Sequence, residues 1–354
     1  MRTCALVGTA LAVIGAGCAT GKAPPAPTAM ASVTTNLTFL FGFGLKGCGI
    51  PKGECKDDKN FPTGQPEALV KLPPFAIDVH EVTIEQYEYC VQFDKCSDPR
   101  GTNGPGDENY YFNPKYQQHP VVQLTQLQAG EYCAFVGKRL PTEFEWERIA
   151  GGSAQTLETK RLYPEAFSPG PDSAVPTDCK NELINALPCN GGSKRATKVM
   201  SMTGDVVTEG GVKVYDLMGN VSEWTASDAD PTVTCDKAQP YTCEKCAECR
   251  LTKSDEICKP VCKDCECGSG PKWPIAPQCY RPCNAPVCAL RKAGDAIDGT
   301  YTGKNSNERR VVRGGNYEAL PTCATRFDYR GQAIAPNIEQ SAQVYLGFRC
   351  AKSL

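Results

Sequence analysis

The residues with the most chemistry to offer are the 22 cysteines. Eleven fall between positions 235 and 288, among them Cys243-x-x-Cys246-x-x-Cys249 and Cys262-x-x-Cys265-x-Cys267. A C-x-x-C step lets two thiolates reach one zinc ion. Here the two histidines of the chain, His80 and His119, are far away in sequence, and further cysteines interleave. A disulfide knot therefore accounts for the run better than a zinc site. Such a knot on surface loops serves recognition, and a purely stabilising role stays open. Cys48 with Cys55, Cys90 with Cys96 and Cys179 with Cys189 are near enough in sequence for local disulfides, although spacing alone does not determine connectivity. The chain has no Gly-x-Ser-x-Gly elbow, no His-Glu-x-x-His pair and no phosphate loop. Hydrolase, metalloprotease and nucleotide-binding readings have no support.

The first residues set the expected compartment. Met1 to Gly17 carries Arg2 and then the apolar run Ala5 to Ile14, the pattern of a signal peptide (1–17), too short to remain as a bilayer span. It ends in Gly15-Ala16-Gly17-Cys18, small residues before a cysteine, which predicts lipoprotein processing and lipid attachment at Cys18. Ordinary secretion is the alternative. Residues 18–64 read as a tether, rich in Ala, Pro and Thr up to about residue 35, followed by a small disulfide loop. With Cys4 and Cys18 set aside, 20 cysteines remain, an even number suited to an oxidising compartment. The expected location is the cell envelope, at the outer membrane. The formal net charge is -2 and no basic stripe occurs, so no nucleic-acid partner is expected. Residues 65–354 suffice for one large domain, interrupted by the cysteine-rich insert 235–288.

Several elements must position these groups. Phe75 to Val79 reads as a strand. Thr83-Ile84-Glu85-Gln86, Thr125-Gln126-Leu127-Gln128 and Thr142-Glu143-Phe144-Glu145 are three capping boxes, each predicting a helix. The first helix buries Ile84, Tyr87 and Val91, the second runs to about Val136, and the third buries Trp146, Ile149 and Ala150 before Gly151-Gly152. Arg139, Glu143, Glu145 and Arg148 beside the third helix read as Arg–carboxylate pairs that pin loops to it. Trp146 and Trp224 read as core anchors. Val214 to Trp224 reads as a turn, and Arg310 to Val312 and Tyr345 to Cys350 as strands.

Four separated segments carry a resemblance: FAIDVHEVTIEQYEYCV (75–91), YCAFVGKRLPTEFEWERIA (132–150), VYDLMGNVSEW (214–224), and RGGNY (313–317) with GFRCA (347–351). In this order they resemble the formylglycine-generating enzyme (sulfatase-modifying factor) family. The resemblance implies an α+β, loop-rich variant of the C-type-lectin fold, here with a cysteine-rich insertion. It implies a Cys133–Cys350 disulfide. It implies a calcium site formed by Asp216, the carbonyls of Gly219 and Val221, and Glu223, with Asn181 at a second site; a Gly-containing loop can aim such oxygens at one hard cation. Catalysis in the family implies two cysteines that bind copper(I), five residues apart, soon after the RGGS-aromatic motif; soft thiolates suit that ion. Here those positions fall on Ala319 and near Ala324, with Cys323 adjacent and Asn316 in place of the serine. Cys323 is then either a shifted catalytic thiol or the partner of an insert cysteine, which would complete the pairing. The expectation is a domain tethered to the envelope that recognises an exported protein or glycan. The alternative is a copper- and oxygen-dependent oxidase that converts a cysteine of an exported sulfatase-like protein to formylglycine.

Overall fold

A computed structural model describes residues 24–42, 68–104, 107–156, 159–164, 195–228, 297–298, 310–318, 330–333 and 342–354. Residues 1–23, the Cys48 and Cys55 loop, Cys179, Asn181, Cys189, Cys323 and the insert 235–288 lie outside the described residues.

The three capping boxes each open a helix: α1 (Ile84–Gln92) from Thr83, α2 (Gln126–Phe135) from Thr125 and α3 (Glu143–Gly151) from Thr142. In each, the threonine hydroxyl accepts from the N–H three residues on, while that residue's side chain accepts from the threonine N–H. The third helix ends at Gly152, whose φ of 80° suits glycine.

Short strands surround the helices. They are β1 (Met30–Val33), β2 (Thr38–Phe41), β3 (Ala68–Lys71), β4 (Phe75–Asp78), β5 (Val206–Glu209), β6 (Val212–Tyr215), β7 (Ser222–Asp228), β8 (Ile297–Asp298), β9 (Arg310–Arg313), β10 (Arg330–Ala333), β11 (Leu346–Gly347) and β12 (Ala351–Ser353). In one sheet β4 lies between β1 and β12, antiparallel to both, so the two ends of the described chain flank one strand. A second sheet runs β10-β9-β7-β11, with β11 parallel to β7. A third runs β2-β3-β8, and β5 pairs with β6 as a hairpin whose turn, Gly210-Gly211, takes positive φ at both residues.

Two regions differ from the sequence reading. The stretch taken as a tether supplies β1 and β2, whose Ala31, Val33, Phe39 and Phe41 are core residues packed with α3. The domain therefore begins well before residue 65. Burial of these apolar side chains outweighs the flexibility that the Ala/Pro/Thr composition suggests. The segment Tyr345 to Cys350 forms only the two-residue β11. Past it the chain crosses the core, burying Phe348, Arg349 and Cys350, while Val82 and Asp78 donate backbone N–H groups to the carbonyls of Phe348 and Cys350.

Two apolar clusters result. One gathers Trp146, Phe144 and Ile149 of α3 with β1, β2 and β4. The other gathers Tyr87 and Tyr132 with Trp224 and Phe348, beside the disulfides Cys90–Cys96 and Cys133–Cys350.

Candidate functional site

The loop joining β6 to β7, residues 216–221, lies at the meeting point of the sheets. Asp216 and Asn220 take φ of 57° and 61°, a left-handed conformation that Asp and Asn tolerate better than most residues. Carboxylates from other segments hold the loop's amides. Asp205 accepts from Leu217 N–H (3.2 Å), Met218 N–H (2.9 Å) and Gly219 N–H (2.7 Å). Glu81 accepts from Val221 N–H (3.3 Å) and Asn220 Nδ2 (3.1 Å). Asp216 Oδ2 accepts from Met200 N–H (2.7 Å), while its buried Oδ1 has no hydrogen-bond partner.

Arg349 enters from the opposite side, fully buried. Its Nε and Nη2 donate to Glu223 Oε1 at 2.9 and 2.6 Å, and Nε also reaches Oε2 at 2.7 Å. Nη2 further donates to the carbonyls of Tyr215 (2.9 Å) and Asp216 (3.1 Å), and Nη1 to that of Asp78 (3.2 Å). Trp146 Nε1 donates to Glu223 Oε2 at 2.9 Å. Asp78 pairs with Lys138 and accepts from Cys350 N–H.

Four fully buried carboxylates, Glu81, Asp205, Asp216 and Glu223, thus hold this segment, and of them Glu223 bonds the Arg349 guanidinium. Burial raises Asp205 to about 6 and, reinforced by Asp205, Asp216 to about 8. Burial, then Asp216, also raises Glu81. Burial likewise raises Asp78 to about 6, against the pull of Lys138. Raised carboxylates retain protons in the folded state that the unfolded chain has released, so they contribute stability that is lost as pH rises. The histidines oppose this at lower pH: burial lowers both His80 and His119, from an ordinary value of 6.5. Above that value the histidine contribution fades, and among the described residues the raised carboxylates dominate. The melting temperature is therefore expected to fall between pH 6.5 and 8, the range closed by Asp216. Asp216→Asn should flatten that slope in a thermal-denaturation series; an unchanged slope would remove Asp216 as its source.

The loop leads into the RGGNY motif. Ser222 Oγ donates toward the carbonyls of Gly314 and Gly315, each at 3.2 Å, and accepts from Asn316 Nδ2 at 3.1 Å. Gly314 has φ of 77°, and a Cβ there would meet the Leu217 carbonyl at 3.1 Å and Trp146 at 3.3 Å. Arg313 lies over the Trp146 ring and pairs with Glu147, whose carboxylate also holds Lys160 Nζ (2.6 Å) and Gly42 N–H (2.7 Å).

Asp216, Gly219 and Val221 lie in this loop and Glu223 follows in β7, but this arrangement does not fit a calcium site that uses Glu223. Each of its oxygens already accepts two hydrogen bonds from Arg349 and Trp146. Among the described residues no group of three or more His, Cys, Asp or Glu side chains is placed to hold a metal ion. Copper(I) is not matched either: Ala319 and Ala324 offer no thiolate, and Cys323 by itself cannot supply two.

Of the charges expected beside α3, Arg139 forms a two-pronged pair with Glu145 (2.7 and 2.6 Å) and Arg148 with Glu209 (3.0 Å twice). Sequence reasoning passed over Glu81, Asp205, Glu147 and Arg349. The available signal was a charge between core residues, as in Phe348-Arg349-Cys350.

The profile of the sulfatase-modifying factor enzyme 1-like domain matches residues 46–354. A mouse protein named inactive C-alpha-formylglycine-generating enzyme 2 is 34% identical over 114 residues, covering 32% of this chain and 33% of that protein. A Bacillus subtilis protein, YfmG, is 30% identical over 207 residues, covering 53% of this chain and 40% of that protein. The serine/threonine-protein kinase Pkn1 of Chlamydia trachomatis is 31% identical over 173 residues, 44% of this chain and 23% of that protein. The chain thus spans well under half the length of these relatives. The structure of PvdO from Pseudomonas aeruginosa superposes with a TM-score of 0.51 at 22% identity, covering 92% of this chain and 94% of that one, a likeness of fold.

Proposed function

The chain belongs to the sulfatase-modifying factor enzyme 1-like domain family, and from that premise we propose that it is a non-catalytic member, held at the cell envelope to recognise an exported protein or glycan. One observation carries the reading: the two thiol positions implied by the family pattern fall on Ala319 and near Ala324, leaving only Cys323. Copper(I) chemistry at two thiolates has no ligand pair there. The name of the mouse relative, an inactive formylglycine-generating enzyme, is in keeping with loss of catalysis on this scaffold.

The experiment is a thiol count on the mature exported protein, with alkylated peptides mapped by mass spectrometry. Cys323 is expected in a disulfide, with no copper(I) bound. Alkylation of Cys323 together with a second cysteine, and copper(I) uptake by that pair, would replace this reading with the oxidase.

Anchoring follows from Cys18. Gln86 Nε2 donates to the Ala26 carbonyl (3.4 Å) and to Thr28 Oγ1 (2.8 Å), so the chain joins the domain at Ala26. Eight peptide units from Cys18 reach no more than about 29 Å. A lipid there would hold the domain beside the bilayer, limiting it to partners at that surface. The wild type is expected to enter the detergent phase on Triton X-114 partitioning and Cys18→Ala the aqueous phase; equal partitioning would refute the anchor.

A further inference from the structure

We propose that Arg349 is the built-in cation of the Asp216–Glu223 loop, so that the loop is closed without calcium. Of the oxygens that the calcium reading assigns to this segment, both of Glu223 are already taken. The carbonyls of Asp78, Tyr215 and Asp216 and both oxygens of Glu223 accept from this one guanidinium. A planar fork of five N–H donors suits such a set, because it satisfies several acceptors at fixed angles.

The amides of the loop need no ion. Those at 217, 218 and 219 are held by Asp205 and that at 221 by Glu81. These four backbone donors are therefore satisfied from two sides by side chains of the protein. Arg349 cannot withdraw to make room for an ion. It has no exposed surface, and the next residue is tied to α2 by the Cys133–Cys350 disulfide. An ion on Glu223 would also sit against a guanidinium, two positive charges in a fully buried site. Asp216 Oδ1 is buried and without a hydrogen-bond partner, so Asp216 is the side chain through which an ion at this segment would be detected.

The test compares the full chain with Asp216→Ala in thermal denaturation, each in chelator and in excess calcium chloride. The two proteins are expected to respond alike, whether or not calcium binds elsewhere in the chain. A calcium-dependent rise in melting temperature in the wild type that Asp216→Ala loses overturns the proposal. Should Asp216→Ala not fold, a wild-type crystal grown in calcium chloride decides. Glu223 is expected to contact Arg349 and Trp146 alone, and an ion coordinated by Glu223 overturns it.

Discussion

Arg349→Met is expected to cost about 3–5 kcal/mol of stability, or to prevent folding, because it removes one partner of a buried ion pair. The loss extends beyond Glu223. Without the guanidinium, the carbonyls of Asp78, Tyr215 and Asp216 lose donors in a buried site, and Glu81, Asp205 and Asp216 lose a nearby positive charge. Arg349→Lys should recover only part of the loss, since an ammonium keeps the charge but cannot supply the planar fork. Combining Arg349→Met with Glu223→Leu should recover part of it by another route, because the Glu223 carboxylate is then no longer left unpaired. Chemical denaturation of the three variants measures this. A single Arg349→Met variant as stable as the wild type would mean that the carboxylates are neutralised by something other than Arg349.

Loss of the Cys133–Cys350 disulfide is the second large effect. It joins α2 to the end of the chain across 217 residues, whereas Cys90–Cys96 spans 6. In the chain-entropy account the longer closure is worth about 5 kcal/mol and the shorter about 2 kcal/mol. Cys133→Ser with Cys350→Ser should therefore destabilise more than twice as much as Cys90→Ser with Cys96→Ser. Equal losses in guanidinium denaturation would show that strain and packing, rather than loop closure, set the values. The longer disulfide also sits one residue from Arg349, so its loss is expected to loosen the Asp216 loop, visible as faster amide exchange at Leu217, Met218 and Gly219.

Helix starts were legible because they are local. Thr83, Thr125 and Thr142 each satisfy N–H groups within three residues, so the pattern and its effect share one short window. The extent of burial was not legible. The sequence suggested one apolar face on α3, yet every residue from Glu143 to Gly151 is buried. Glu147 is tolerated there because Lys160 and Arg313, 13 and 166 residues away, bring opposite charge to it. The N-terminal strands were missed for a similar reason. Met30-Ala31-Ser32-Val33 has too few residues to show a period, and its partner β4 begins more than 40 residues later.

The sequence by itself determined the family, through four ordered motifs, and the three helix starts, through caps that act over one turn. The lack of two cysteines five residues apart soon after RGGNY is also local, since a side chain that is not encoded cannot be supplied by folding. The partner of Glu223, in contrast, emerges only on folding. The spacing of Asp216 and Glu223 suits a cation, but which cation depends on Arg349, 126 residues beyond Glu223, and a charge that distant in sequence acts only where the chain buries it alongside.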